Sequence, residues 1–253
     1  MVLELLAFVT LLQGGDPDFR WHGVVAAGKT VEIRGINGDI RAEPASGREV
    51  EVIAEKSGHR IENVEIKVTE TSDGVLVCAR YPESRGDRCD SDSDGDHYNS
   101  NNFGRERDDV EVSFTVRVPA GVRFVGRTVM GDVTATDLDA DASVSTVNGS
   151  VDVSTKGRAE ASAVNGSVHA RMGTLGTGDL EFSTVNGDID VTVPADAALD
   201  VAASNINGNI ESDFEMTVRG RVGPRSFRGT IGGGGRSLSM TTVNGNIDLH
   251  KGS

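Results

Sequence analysis

Val147-Asn148-Gly149-Ser150-Val151 is followed, 17 residues on, by Val164-Asn165-Gly166-Ser167-Val168. The same pattern, aliphatic–Asn–Gly–small polar–aliphatic, returns as Ile36-Asn37-Gly38-Asp39-Ile40, Val185-Asn186-Gly187-Asp188-Ile189, Ile206-Asn207-Gly208-Asn209-Ile210 and Val243-Asn244-Gly245-Asn246-Ile247. Val129-Met130-Gly131-Asp132-Val133 keeps the glycine and loses the asparagine. Counted from position 130, the intervals are 18, 17, 21, 21 and 37 residues, the last nearly double the others. A near-fixed period carrying the same local chemistry marks a repeat architecture.

Asparagine and glycine both tolerate positive φ, so the pair makes a tight corner at little steric cost. Two all-β architectures use such a corner. One is a hairpin with a type I′ turn, in which Val144 and Thr146 would face Val153 and Val151. The other is a solenoid, each repeat forming one coil of two or three short strands at about 3.3 Å per residue. The regular period and the small apolar residues favour stacked coils, with stacked β-hairpins as the alternative. In stacked coils, equivalent asparagines lie about 4.8 Å apart, within reach of a ladder of amide hydrogen bonds. Asn37, Asn148, Asn165, Asn186, Asn207 and Asn244, with Gly38, Gly149, Gly166, Gly187, Gly208 and Gly245, are therefore read as structural corners, not as a ligand-reading array. Each tier leans on its neighbours, so both ends need covers, and the N-terminal portion is the natural one.

The composition agrees. Of 253 residues 32 are glycine, 6 are proline, and 4% are aromatic. Small, often β-branched side chains suit narrow β layers in which an aromatic would not fit every tier. No stretch carries a helical apolar period after the first few residues. A formal net charge of −14 with scattered Lys and Arg argues against nucleic acid as a partner.

Outward from the repeats, residues 50–55, 61–69, 75–81 and 110–119 alternate apolar and polar residues as half-buried strands do. A polar loop rich in Pro, Gly, Asp, Asn and Arg spans 82–109, the repeats run through 122–249, and a Gly/Arg-rich interruption at 219–236 accounts for the doubled interval. No low-complexity linker divides these parts, so residues 16–253 are expected to form one domain. Residues 1–15 read as a signal peptide: the apolar run is too short to span a bilayer and ends in small residues. Against this, the run lacks a basic start and contains Glu4; the other reading is an apolar strand or cap. With the leader removed, no transmembrane span is expected, and the protein is expected to be extracytoplasmic. Two cysteines close in sequence, Cys78 and Cys89, then read as one disulfide, with two free thiols as the alternative.

Few residue patterns point to chemistry. Asp90, Asp92, Asp94 and Asp96, with Gly95, match the first half of a calcium loop, whose alternate carboxylates supply oxygens. Position twelve is Asn101 rather than a bidentate glutamate, and no flanking helix is apparent, so a solvated polar loop gives the same string. The glycine run 232–235 lacks a P-loop's lysine and hydroxyl and reads as a flexible loop. His22, His59, His97, His169 and His250 are far apart in sequence and show no zinc spacing. Asp152, Asp188 and Asp190 could cleave glycosidic bonds as paired acids, but they occupy repeat positions held by Ser or Asn in other copies, as a solvated β face would. No catalytic residue and no cofactor beyond that calcium loop is expected.

The Asn-Gly-Asp-Ile repeats resemble, together with Val-Arg-Val-Pro119-Ala-Gly-Val, Val77-Cys78-Ala-Arg-Tyr81-Pro82 and the closing Gly-Gly-Gly-Gly-Arg-Ser-Leu segment, a bacterial adhesin-like domain family of unknown function related to the head GIN adhesin-like domains. The resemblance covers roughly residues 28–250. It implies a right-handed β-solenoid, extracytoplasmic placement and no known catalytic residue. The expectation is thus a non-enzymatic envelope or surface scaffold that binds an envelope or surface ligand. A polysaccharide-active β-helix enzyme and an envelope-stress ligand sensor are the alternatives.

Overall fold

The computed structural model describes residues 18–81, 89, 110–218 and 226–252. The expected leader and Asp90, Asp92, Asp94 and Asp96 lie outside the described residues. Strands β1 (Phe19–Val24), β2 (Thr30–Arg34), β3 (Ile40–Pro44), β4 (Glu49–Ser57), β5 (Glu65–Thr71) and β6 (Gly74–Arg80) precede the polar loop, and β7 (Glu111–Val118) follows it. The repeats supply β8 (Arg123–Arg127), β9 (Val133–Leu138), β10 (Ala142–Ser145), β11 (Val151–Thr155), β12 (Ala159–Ser162), β13 (Val168–Met172), β14 (Leu180–Ser183) and β15 (Ile189–Val193). Then come β16 (Leu199–Ser204), β17 (Ile210–Ser212), β18 (Thr217–Val218), β19 (Ser226–Ile231), β20 (Arg236–Thr241) and β21 (Ile247–Lys251). Among the described residues there is no α-helix, only a 3₁₀ turn at Ile61–Asn63. The strands form two mixed sheets, of ten and eleven strands.

Alternation sets which side chains face in. In β11, Val151, Val153 and Thr155 are buried while Asp152 and Ser154 face outward. The partner of each strand decides the architecture. Strands β10 and β11 flank the Asn148-Gly149 corner yet share no ladder. Instead β10 pairs in parallel with β8 and β12, and β11 in parallel with β9 and β13. Each repeat therefore crosses from one sheet to the other at its corner and stacks on the next repeat, so the hairpin alternative does not form here.

The spatial order of these tiers is β6/β7, β2/β3, β8/β9, β10/β11, β12/β13, β14/β15, β20/β21, β16/β17. Two features depart from chain order. The tier holding Asn37 lies inside the stack, between β6/β7 and β8/β9. The final repeat does not end the stack either: β20/β21 inserts between β14/β15 and β16/β17. The glycine run makes this possible. Leu199 pairs with Ile231 on one side and Arg236 on the other, so Gly232–Gly235 must step over the end of β16. All four have positive φ (58°, 92°, 82° and 143°). Gly234 N–H donates to Ile231 O at 3.0 Å and Gly235 N–H to Asp200 Oδ2 at 3.3 Å. The run read as a flexible loop is a defined crossover.

Antiparallel strands cover one end of the stack on both sheets and the far end on the eleven-stranded sheet, while among the described residues β17 is the edge of the ten-stranded sheet. β4 adds to β7 and β1 to β4, while β5 adds to β6. At the far end β19 adds to β16 and β18 to β19. Such covers take up edge N–H and C=O groups that would otherwise template aggregation.

The interior between the sheets is one strand spacing per tier, about 4.8 Å, which favours small aliphatics. Val133, Val151, Val168, Ile189 and Ile247 form one in-register row. A phenylalanine enters where its neighbour is small: Phe182, fully buried, sits in register with Ala161. Cys78 and Cys89 are disulfide-bonded, Cα–Cα 5.5 Å. With Leu76 they form a small separate apolar cluster, on the face of β6 opposite Val75, Val77 and Ala79 of the main core.

Candidate functional site

The corners stack as several parallel rows. In the first, Asn165 Nδ2 donates to Asn148 Oδ1 (2.9 Å), Asn186 to Asn165 (2.8 Å), Asn244 to Asn186 (2.7 Å) and Asn207 to Asn244 (2.8 Å). Backbone bridges link the same positions from Asn37 through Met130 to Asn207. Met130, which carries no amide, interrupts the side-chain row, and Asn37 Nδ2 turns to Val110 O instead (3.1 Å). Met130→Asn would join Asn148 to Asn37 by two further bonds. We expect it to stabilise by about 1 kcal/mol, a rise of roughly 2–4 °C in a thermal melt. An unchanged or lower midpoint would mean that the row contributes nothing measurable.

The positive φ expected at the corners falls on glycines, with Gly38, Gly131, Gly149, Gly166 and Gly208 between 126° and 153°. Among the described residues only Arg60 and Asp137 are non-glycine residues at positive φ, so no corner asparagine is left-handed and no type I′ turn forms. Close approach is a second requirement, and at Gly187 and Gly245 it acts without the first. A Cβ on Gly149, Gly166, Gly187, Gly245 or Gly208 would lie 1.9–2.1 Å from the glycine carbonyl oxygen of the tier beside it. A threonine two residues before the corner serves that same carbonyl: Thr128 Oγ1 donates to Gly38 O (3.1 Å), Thr146 to Gly131 (2.8 Å), Thr184 to Gly166 (2.8 Å) and Thr242 to Gly187 (3.0 Å). The small polar residue after glycine accepts the next tier's N–H. Asp39 receives Asp132 N–H at 2.8 Å, Asp132 receives Ser150 at 2.7 Å, and Asp188 receives Asn246 at 2.7 Å. Asp188 is thus a corner residue.

In the β6/β7 tier, Tyr81 stands in for the corner. Its hydroxyl lies 3.3 Å from Asn37 O and 3.2 Å from Val110 O. Burial is the main reason its pKa is pushed up to about 12.

Two outer faces flank these rows. On the eleven-stranded sheet, Arg34, Arg127, Ser145, Ser162, Ser183, Thr241 and Ser204 lie in one register row. Beside it runs an aliphatic ridge of Val129, Val147, Val164 and Val185, with Val164 and Val185 about 40% exposed. Arg34, Arg127, Ser145, Ser162 and Ser183 of the row, with the ridge, line a shallow groove of about 870 Å³ that ends at Cys78. Ridge and hydroxyls come from the repeat itself, so the same chemistry recurs tier after tier.

The ten-stranded face brings together groups far apart in sequence. His250 Nδ1 lies 3.0 Å from Asp213 Oδ2, His250 Nε2 lies 3.8 Å from Asp190 Oδ1, and His169 Nδ1 lies 4.0 Å from Asp190 Oδ2. Arg171, Lys156, Asp137 and Lys251 border the same groove, of about 830 Å³. No group of three or more His, Cys, Asp or Glu among the described residues is arranged to hold a metal ion. The calcium reading lies outside the described residues. The hydrogen bond to Asp213 is the main cause that raises the His250 pKa, and the same bond lowers that of Asp213. His250, raised, contributes stability below its ordinary value of about 6.5 and loses it as pH climbs through the folded value. Asp213, lowered, keeps its contribution until pH falls through its own reduced value. Asp213→Asn should therefore move the His250 titration, followed by NMR, down toward its ordinary value; an unmoved midpoint would refute the pairing.

A model of the family described as Toastrack DUF4097 matches residues 15–250, nearly the whole chain. The chain belongs to that family. The Toastrack match takes in every tier and both covers described above. Among solved structures, the Toastrack chain aligns with a "putative cell adhesion protein" from Clostridium sporogenes at 9% identity and a TM-score of 0.46, covering 92% of this chain and 99% of that one. It aligns with a "putative adhesin" from Bacteroides fragilis at 12% identity and a TM-score of 0.39, covering 94% and 100%. No curated protein matches the sequence.

Of the residues singled out in sequence, the six Asn-Gly pairs and the two cysteines are each brought to a partner. The paired-acid reading separates, since Asp188 serves a corner and Asp190 faces outward between two histidines. The threonine row was missed, although Thr-x-Asn-Gly at 146, 184 and 242 was there to be read.

Proposed function

We propose that this chain is a non-enzymatic, extracytoplasmic binding scaffold of the adhesin-like kind, its stack a right-handed β-solenoid that offers the serine groove to an extended envelope polymer. Right-handed crossings are favoured because about 98% of parallel strand–crossover–strand connections take that hand. The observation that carries the reading is the groove. A row of hydroxyls beside an aliphatic ridge, repeated every ~4.8 Å, suits a chain-like ligand with its own repeating hydroxyls, such as a glycan strand. A buried disulfide favours an oxidising compartment. The acidic balance leaves nucleic acid aside.

Retention on immobilised envelope glycans tests the proposal. Ser162→Tyr and Ser183→Tyr, which fill the groove from outward positions, should abolish retention while leaving the melting temperature unchanged. Retention that survives both substitutions would overturn the groove, and recovery of the native protein from the cytoplasm with Cys78 and Cys89 reduced would overturn the placement. The polysaccharide-active alternative has one observation on its side, Asp190 between His169 and His250 in a groove. Glycan turnover lost in Asp190→Asn would favour it.

A further inference from the structure

Asn-Gly is the dipeptide in which an asparagine amide is most easily lost. The backbone nitrogen of the glycine attacks the asparagine Cγ, the Cγ–Nδ2 bond breaks, and ammonia leaves a five-membered imide. Water then opens the imide at either carbonyl, giving aspartate, or isoaspartate with one extra methylene in the backbone. Net, one water enters and one ammonia leaves. The attack needs a glycine nitrogen freed from its hydrogen bond and a side chain free to swing over it.

In five of the six pairs the stack denies both. Gly38 N–H donates to Met130 O (2.7 Å), Gly149 to Asn165 O (3.0 Å), Gly166 to Asn186 O (2.9 Å), Gly187 to Asn244 O (3.0 Å) and Gly245 to Asn207 O (2.9 Å). The side chains of Asn148, Asn165, Asn186 and Asn244 each accept an amide from the next tier, and that of Asn37 donates to Val110. Among the described residues no tier lies beyond Asn207-Gly208. Gly208 N–H has no partner and Asn207 Oδ1 accepts nothing among the described residues, although its Nδ2 still donates to Asn244. Residues 206–209 are all exposed. Beneath the corner, Asn205 replaces the threonine of other tiers, with two long bonds of 3.4 Å and a buried Oδ1 left unpaired. Local opening should therefore cost least here.

We infer that Asn207 is the chain's site of spontaneous deamidation, a modification that adds a negative charge at the exposed end of the stack and, as isoaspartate, breaks the corner's register with Asn244. The full-length oxidised protein, incubated at mildly alkaline pH and mapped by peptide mass spectrometry with isoaspartate detection, tests this. Asn207 should convert at least ~10-fold faster than any of the other five Asn-Gly pairs, the ratio for a difference of about 1.4 kcal/mol in opening. In denaturant the lead should vanish, because the dipeptides are then equivalent. Equal native rates, conversion led by Asn148 at the other broken end of the row, or a lead that persists in denaturant would each overturn the inference.

Discussion

Gly166→Ala is expected to cost about 3–5 kcal/mol, combining left-handed-region strain with forced overlap, and to lower the thermal midpoint by roughly 10 °C. The added methyl would sit 1.9 Å from Gly149 O and 2.5 Å from Gly149 C, both backbone atoms of the neighbouring tier, which cannot turn aside as a side chain would. Gly166 also has φ 153°, within the range that favours glycine. Gly245 separates the two causes. Its φ lies outside that range, yet its methyl would meet Gly187 O at the same 1.9 Å. Gly245→Ala should thus cost nearly as much, Gly233→Ala (φ 92°, open space) about 1 kcal/mol from strain alone, and Gly47→Ala, open and unstrained, close to nothing. A series in which Gly233→Ala is as damaging as Gly245→Ala would show that conformation, not tier contact, selects glycine at the corners.

Phe182→Ala is expected to cost about 3–5 kcal/mol, read from the urea midpoint at unchanged slope. Phe182 is fully buried, with Ala161 in register on one side and Met240 on the other. Ala161 cannot fill the space, and main-chain ladders fix the tier spacing, so the cavity stays open. Phe182→Leu should recover most of the loss. If alanine costs under about 1 kcal/mol, the tiers can close upon each other and the interior is not the close-packed stack described here.

Much of this was legible in the chain because a repeat states its own rule several times. The recurring spacing of the corners, Asn165 and Asn186 among them, favoured stacked coils over stacked hairpins, and the alternation in residues 110–119 placed a strand. Two things were hidden. Chain order does not reveal stacking order: nothing local in Ile247-Asp248-Leu249 says that it pairs with Ile189-Asp190-Val191 on one side and Ile210-Glu211-Ser212 on the other. The clue was the four-glycine run, which looked like slack and is the step that carries the chain over β16. The meeting of His169, Asp190, His250 and Asp213 was hidden for the same reason, since residues 81 positions apart in sequence share a face only once the insertion of β20/β21 is known. The corner glycines were recognised by a property they share with turns, whereas the decisive contact belongs to another tier and leaves no trace in local sequence.

Pairwise cysteine cross-linking at the corner row tests the insertion of β20/β21 between β14/β15 and β16/β17. Adjacent rows lie about 4.8 Å apart, within the 4.4–6.8 Å that a disulfide spans between Cα atoms, and rows two tiers apart lie at about 9.6 Å, beyond it. Under mild oxidation, the pairs Asn186→Cys/Asn244→Cys and Asn244→Cys/Asn207→Cys should link, and Asn186→Cys/Asn207→Cys should not. Efficient linking of 186 to 207, with 244 unlinked to either, would place the last repeat at the end of the stack and contradict the order described here.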